Sequence, residues 1–156
     1  MKTLCFICTR MAMNSPSPVP PLTAILETAI YVDDLARAAV FYETVMGLAT
    51  LFADDRLRAY TVNDRSVLLV FLRGATVKPV QTGGGLIPPH DGSGALHFAF
   101  SVTHEALAAW RVHLDASGVV IEGTSDWKRG GHSLYFRDPD QNLLELAATP
   151  GLWPGF

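Results

Sequence analysis

The chain has 156 residues, of which 49% are hydrophobic and 17% charged, and a formal net charge of −3. That balance suits one compact domain or two small fused halves and excludes disorder along the whole length. No basic run offers a footprint for nucleic acid, and no apolar stretch reaches the length of a membrane span, so neither partner is expected.

Residues 1–22 stand apart from the rest. Leu4-Cys5-Phe6-Ile7-Cys8, closed by Arg10, is short for a signal-peptide core and lacks a convincing cleavage site. The following Asn14-Ser15-Pro16-Ser17-Pro18-Val19-Pro20-Pro21 cannot form a helix or a central strand. The segment reads as a flexible leader, with Met11 and Met13 as alternative starts. Cys5-x-x-Cys8 lies inside it, without the βαβ pattern of a redox motif or the further ligands of a zinc site, and reads as incidental. The remaining body has no cysteine, so no disulfide supports it, and a cytoplasmic location is expected.

The body, residues 23–149, repeats itself. Leu26-Glu27-Thr28-Ala29-Ile30-Tyr31-Val32 aligns with Leu96-His97-Phe98-Ala99-Phe100-Ser101-Val102, matching Leu, Ala and Val in place. A helical pattern follows each segment. The first runs from about Leu35 to Met46 and stops at Gly47; the second runs from about Glu105 to Ala116 and stops at Gly118. Asp33 or Asp34 can cap the first helix and Thr103 the second. Three strand-like runs then follow in each half: Ala49–Ala53, Leu57–Asn63 and Ser66–Arg73, and later Val119–Ser125, His132–Arg137 and Asn142–Ala148. Asn63-Asp64 and Asp138-Pro139-Asp140-Gln141-Asn142 mark the last turns. The expected fold is α+β: two βαβββ modules, at 23–74 and 95–149, forming a curved, cup-shaped mixed sheet with helices outside. Residues 75–94, rich in glycine and proline, read as a linker or lid, and 150–156 as a C-terminal tail.

Period-2 alternation assigns the faces. Leu96, Phe98, Phe100 and Val102 share one side of their strand, against His97, Ala99 and Ser101 on the other. Glu27, Ala29 and Tyr31 occupy the matching side of the first strand, and Glu145 faces the same way from the last. Glu27 and His97 therefore hold equivalent places, which a pseudo-twofold axis would bring together. Aligning Leu68-Leu69-Val70-Phe71 with Leu143-Leu144-Glu145-Leu146 gives Glu145 the counterpart Val70. Three ligands and an apolar fourth position would leave a metal ion open to water or substrate. On the same inner face as Ser133, Tyr135 could orient a substrate oxygen and Arg137 could hold an anionic group; a packed Tyr and a strand-end salt bridge explain them as well. Tyr31, Tyr60 and Trp127 could line the hollow or simply pack beside it. His90 and His132 could serve as general bases, with no sequence feature fixing their positions.

These residues resemble the vicinal oxygen chelate superfamily, which includes glyoxalase I, the fosfomycin resistance proteins, extradiol dioxygenases and bleomycin resistance proteins. The resemblance covers about residues 24 to 148, and its most specific phrase is Tyr135-Phe136-Arg137-Asp138-Pro139-Asp140-Gln141-Asn142-Leu143-Leu144-Glu145-Leu146. It implies a metal-dependent lyase, isomerase, transferase or dioxygenase. Its divalent ion, held by Glu27, His97 and Glu145, would chelate adjacent oxygens of a small-molecule substrate. It also implies pairing of modules within or between chains, with a homodimer expected. The chain departs from the pattern in carrying Glu27 where histidine is usual and Val70 where glyoxalase I has a second glutamate. Two carboxylates and one imidazole neutralise a divalent ion, which weakens its Lewis acidity, and oxygen-rich ligation favours Mn or Fe(II), with Zn, Ni and Mg as alternatives. The competing expectation is a metal-free drug-sequestering protein of the bleomycin resistance type.

Overall fold

The computed structural model describes residues 19–155. Cys5, Cys8 and most of the leader lie outside the described residues. The first module runs β1 (Glu27–Val32), α1 (Leu35–Val40), β2 (Ala49–Ala53), β3 (Leu57–Val62) and β4 (Ser66–Leu72). The second runs β7 (His97–Val102), α2 (His104–Ala116), β8 (Ile121–Asp126), β9 (His132–Arg137) and β10 (Leu143–Ala148). Each builds a four-stranded sheet, in the orders β1-β4-β3-β2 and β7-β10-β9-β8, with the first strand parallel to the last and the rest antiparallel. The α+β fold of two βαβββ modules is thus present, with each module's sheet hydrogen-bonded separately within one chain.

Local chemistry sets the ends of these elements. Asp34 caps α1 by accepting from Ala36 N at 2.8 Å and Arg37 N at 3.0 Å, which holds its carboxyl below the usual carboxylate range. Thr103 caps α2 by accepting from Ala106 N. Gly47 and Gly118 stop the helices at φ +68° and +72°, where a side chain would be strained. The first helix departs from the expected continuous run to Met46: it passes into one π-helical turn, Phe41–Val45, closed by Met46 N donating to Phe41 O. The wider turn accompanies burial of two consecutive aromatics, Phe41 and Tyr42.

The linker is also more ordered than expected. Val80–Thr82 (β5) and Gly85–Ile87 (β6) pair as a short antiparallel hairpin. Residues from both modules share one core, in which Ile30, Val32, Tyr42, Tyr60, Leu68 and Val70 join Leu114, Leu134, Leu144 and Leu146. Each buried aliphatic side chain there contributes roughly 1.5–3 kcal/mol. Tyr60 belongs to this core and does not line the hollow.

The Asp138-Pro139-Asp140-Gln141-Asn142 turn bolts the modules together. The buried Asp138 carboxylate accepts from Asp140 N, Asn142 N and Asn142 Nδ2, and from Tyr42 OH of the first module at 2.7 Å. Asp140 Oδ1 accepts from Asp33 N at 2.7 Å and pairs with Arg37 at 2.9 Å. Burial and the Asp138 charge push the Tyr42 hydroxyl far above its ordinary pKa, so it stays a proton donor.

Candidate metal centre

The second module's concave face gathers four groups. His97 donates from Nδ1 to the Leu143 carbonyl at 3.0 Å, which leaves Nε2 with a free lone pair in the neutral ring. That Nε2 lies 3.5 Å from Glu145 Oε2. The other carboxylate oxygen, Oε1, accepts from Ser133 Oγ at 2.5 Å and from Tyr135 OH at 3.2 Å. Ser133 in turn accepts from Trp127 Nε1 at 2.8 Å. The strands explain the convergence: β10 pairs Glu145 with Ala99 of β7 on one side and Tyr135 of β9 on the other, so alternate residues of three strands share the face.

This donor set fits a divalent cation. Two ligand atoms each about 2.1 Å from an ion in tetrahedral geometry stand about 3.4 Å apart, close to the observed separation. Each of the two groups is also oriented through its other polar atom, as metal-binding imidazoles and carboxylates are. Glu145 is 6% exposed, whereas the His97 side chain is about half exposed, so the pair faces an open side.

Glu27 is elsewhere. It lies on the first module's concave face, in a cavity of about 500 Å³ shared with Tyr31, Leu69 and His90 and covered in part by Val80, Ile87 and Pro88 of the linker. Among the described residues of one chain, no group of three His, Cys, Asp or Glu side chains could hold a metal ion. The expected triad is therefore split, with two members together and the third on the other module.

The pairing register also corrects the repeat alignment. Ala29 pairs with Leu69 as Ala99 pairs with Glu145, so the counterpart of Glu145 is Leu69, not Val70. Val70 is fully buried on the helix side, and Leu69 lines the cavity. The one-residue slip arose because Leu68-Leu69 and Leu143-Leu144 align equally well in either register, and a shift of one exchanges the two faces of a strand.

Tyr135 reaches the pair through Glu145. Arg137 does not: its Nε donates to Glu122 at 3.0 Å and its Nη1 to the Gln141 carbonyl at 3.0 Å, the strand-end arrangement. His132 bonds Asp126 at 2.6 Å and stands near His104 of α2, on the helix side of the sheet, away from the site. His90 does reach a concave face, where its Nδ1 meets Tyr31 OH at 2.7 Å. The sequence placed Ser133 on the inner face without indicating its role. A hydroxyl two residues from Tyr135 on the strand beside Glu145 was the available signal.

Comparison with known proteins identifies the family and the fold. The family model described as Glyoxalase/Bleomycin resistance protein/Dioxygenase superfamily matches residues 24–146. The chain is 31% identical to a glutathione transferase FosA of Serratia marcescens over 129 residues, covering 80% of each. It is 29% identical to a metallothiol transferase FosB of Bacillus licheniformis, covering 74% of this chain and 68% of that one. A crystal structure of lactoylglutathione lyase from Agrobacterium tumefaciens superposes with a TM-score of 0.75 at 30% identity, covering 83% of this chain and 96% of the other.

Proposed function

The chain belongs to the Glyoxalase/Bleomycin resistance protein/Dioxygenase superfamily, and from that premise we propose that it is a metal-dependent transferase or lyase acting on a small oxygenated molecule. The observation that carries the proposal is the preorganised His97–Glu145 pair, with Nε2 and Oε2 turned toward each other at 3.5 Å. His97 and Glu145 hold the ion, and Glu27 of a second copy completes the ligand set. Mn or Fe(II) suits two carboxylates and one imidazole. When bound, the ion supplies Lewis acidity for polarising a substrate oxygen. Ser133 and Tyr135 fix the Glu145 carboxylate, and Trp127 fixes Ser133.

A homodimer is supported by what one chain leaves exposed. Ile25 and Leu26, just before β1, and Leu51 and Phe52 on β2 are 80%, 66%, 59% and 53% exposed. Among the described residues, strands β1 and β7 are unpaired along one edge, a liability that pairing between copies would remove. Among the described residues, no helix is long and apolar enough to cross a membrane. The relatives' names point to glutathione transfer and to the lactoylglutathione lyase reaction as the first activities to assay.

The test is metal content after reconstitution with Mn, Fe(II), Zn or Ni, in wild type, Glu27→Ala and His97→Ala, and in the two variants co-expressed under different tags. One ion per chain is expected in wild type and almost none in either variant. The mixed dimer should regain one ion of two, because one chain still supplies Glu27 and the other His97 and Glu145. A mixed dimer that regains nothing would place the whole site within one chain. Wild type that takes up no metal would favour a ligand-sequestering protein instead.

A further inference from the structure

The first module's cavity contains an assembly that the metal site does not use. The backbone of His90 is tied to the start of the linker: its N–H donates to the Thr76 carbonyl at 3.0 Å and its carbonyl accepts from the buried Thr76 hydroxyl. Its ring stands edge-on to Phe71 with centroids 4.8 Å apart. Tyr31, stacked on Phe71 at 5.7 Å, meets Nδ1 of His90 with its hydroxyl. On the Tyr31 ring lies Gly92, where an added Cβ would come within 2.3 Å of Tyr31 Cδ2. Two aromatics, a glycine and a buried threonine thus fix one imidazole on a concave face.

The hydrogen bond sets what that imidazole offers. Burial, and then the Asp91 carboxylate, raise the Tyr31 hydroxyl above its ordinary pKa, so it keeps its proton. The protonated phenol can donate to Nδ1 or accept from it; donation places the ring proton on Nε2, the tautomer on which the proposal depends. Among the described residues, no other side chain hydrogen-bonds the ring. The charged groups lining the cavity are the Glu27 carboxylate and the cations Arg56 and Lys78, so the cations outnumber the carboxylate even without a metal. Arg56 is paired with Asp54 at 3.3 Å; Lys78 has no ion-pair partner among the described residues.

We propose that His90 contacts the substrate, donating Nε2–H to an anionic oxygen of a small molecule held in this cavity, with Tyr31 as the positioning residue that fixes the tautomer and Lys78 supplying charge. The linker then forms one wall of the binding site. This rests on the reading of the concave face as the ligand site, but not on the metal.

The experiment uses inorganic phosphate as the probe, titrated into intact metal-free protein labelled with 15N at the histidine rings. The His90 signals are expected to report the Nε2–H tautomer and to shift on saturation with phosphate. His90→Ala should weaken phosphate binding at least tenfold and Lys78→Ala several-fold. Tyr31→Phe should weaken it several-fold and abolish the single-tautomer signature, which a purely structural tyrosine would not do. Metal content of wild type and His90→Ala, measured separately after reconstitution, separates this result from that of the metal site. The inference is overturned if phosphate leaves the His90 signals unmoved. It is equally overturned if His90→Ala melts early but binds phosphate normally, since the histidine would then only hold the loop.

Discussion

The concave faces of the two modules share one backbone plan and differ in nearly every side chain. In the strand register, Glu27 corresponds to His97, Leu69 to Glu145, Ala59 to Tyr135 and Leu57 to Ser133. The second module holds a carboxylate with two hydroxyls fixing it. The first has leucine, alanine and leucine in those places, and its single carboxylate, Glu27, receives no hydrogen bond from any described residue. One repeated scaffold thus carries an oriented imidazole–carboxylate pair on one side and, on the other, a cavity with a histidine mounted at its wall. The difference between the two faces involves no change of fold, only of alternate residues on three strands.

The comparison can be broken most directly by giving the second module the first module's residue. Glu145→Leu should reduce metal content to background, while the fold persists as judged by circular dichroism. The Ser133 and Tyr135 hydroxyls lose their acceptor, at a cost of about 1–3 kcal/mol in urea denaturation of metal-free protein. Retained stoichiometric metal would mean that Glu145 is not a ligand.

A smaller change separates holding the metal from orienting its ligand. Ser133→Ala removes the 2.5 Å hydrogen bond to Oε1 and frees the carboxylate to rotate. Metal affinity should fall about 10- to 100-fold, the range for loss of a ligand's supporting partner, and Tyr135→Phe should cost less because its bond is longer, at 3.2 Å. Competition with a calibrated chelator measures both. Equal affinity in wild type and Ser133→Ala would show that packing alone orients Glu145.

The two faces also show what a sequence can reveal. The repeat, the helix stops at Gly47 and Gly118 and the strands β2 and β9 were legible because period and turn chemistry are local. His97 and Glu145 were legible for the same reason, as polar residues on the inner side of alternating strands. Three features depended on contacts distant in sequence. The split of Glu27 from its partners is set by how the modules pack, which no strand period encodes. The Leu69 register required the ladder itself, since a run of leucines fits either face. The placement of His90 depended on Tyr31, 59 residues away, and on a hairpin built from three-residue strands too short to stand out in the sequence.

The asymmetry extends to the joint between the modules, and the mildest prediction tests it. In the second module the β9–β10 turn carries Asp138, which reaches across to Tyr42 in the π-helical turn that follows α1. The equivalent first-module turn, Asn63-Asp64, has φ of 51° and 52° and folds on itself, with Asp64 bonded to Thr61. No side chain of that turn bonds α2 among the described residues; α2 instead reaches the first module through His113 and the Val45 carbonyl. Tyr42→Phe keeps the packing and deletes one of four hydrogen bonds to a buried carboxylate. Hydrogen bonds to charged groups contribute about 1.5–3 kcal/mol, and Asp138 keeps three donors, so a loss of about 1.5 kcal/mol is expected in urea denaturation of metal-free protein. Metal affinity should stay within a factor of about two, because this joint lies on the helix side and the ligands on the other. A large loss of metal with unchanged stability would reverse that division of labour and show that the contact between α1 and the β9–β10 turn sets the geometry of the site.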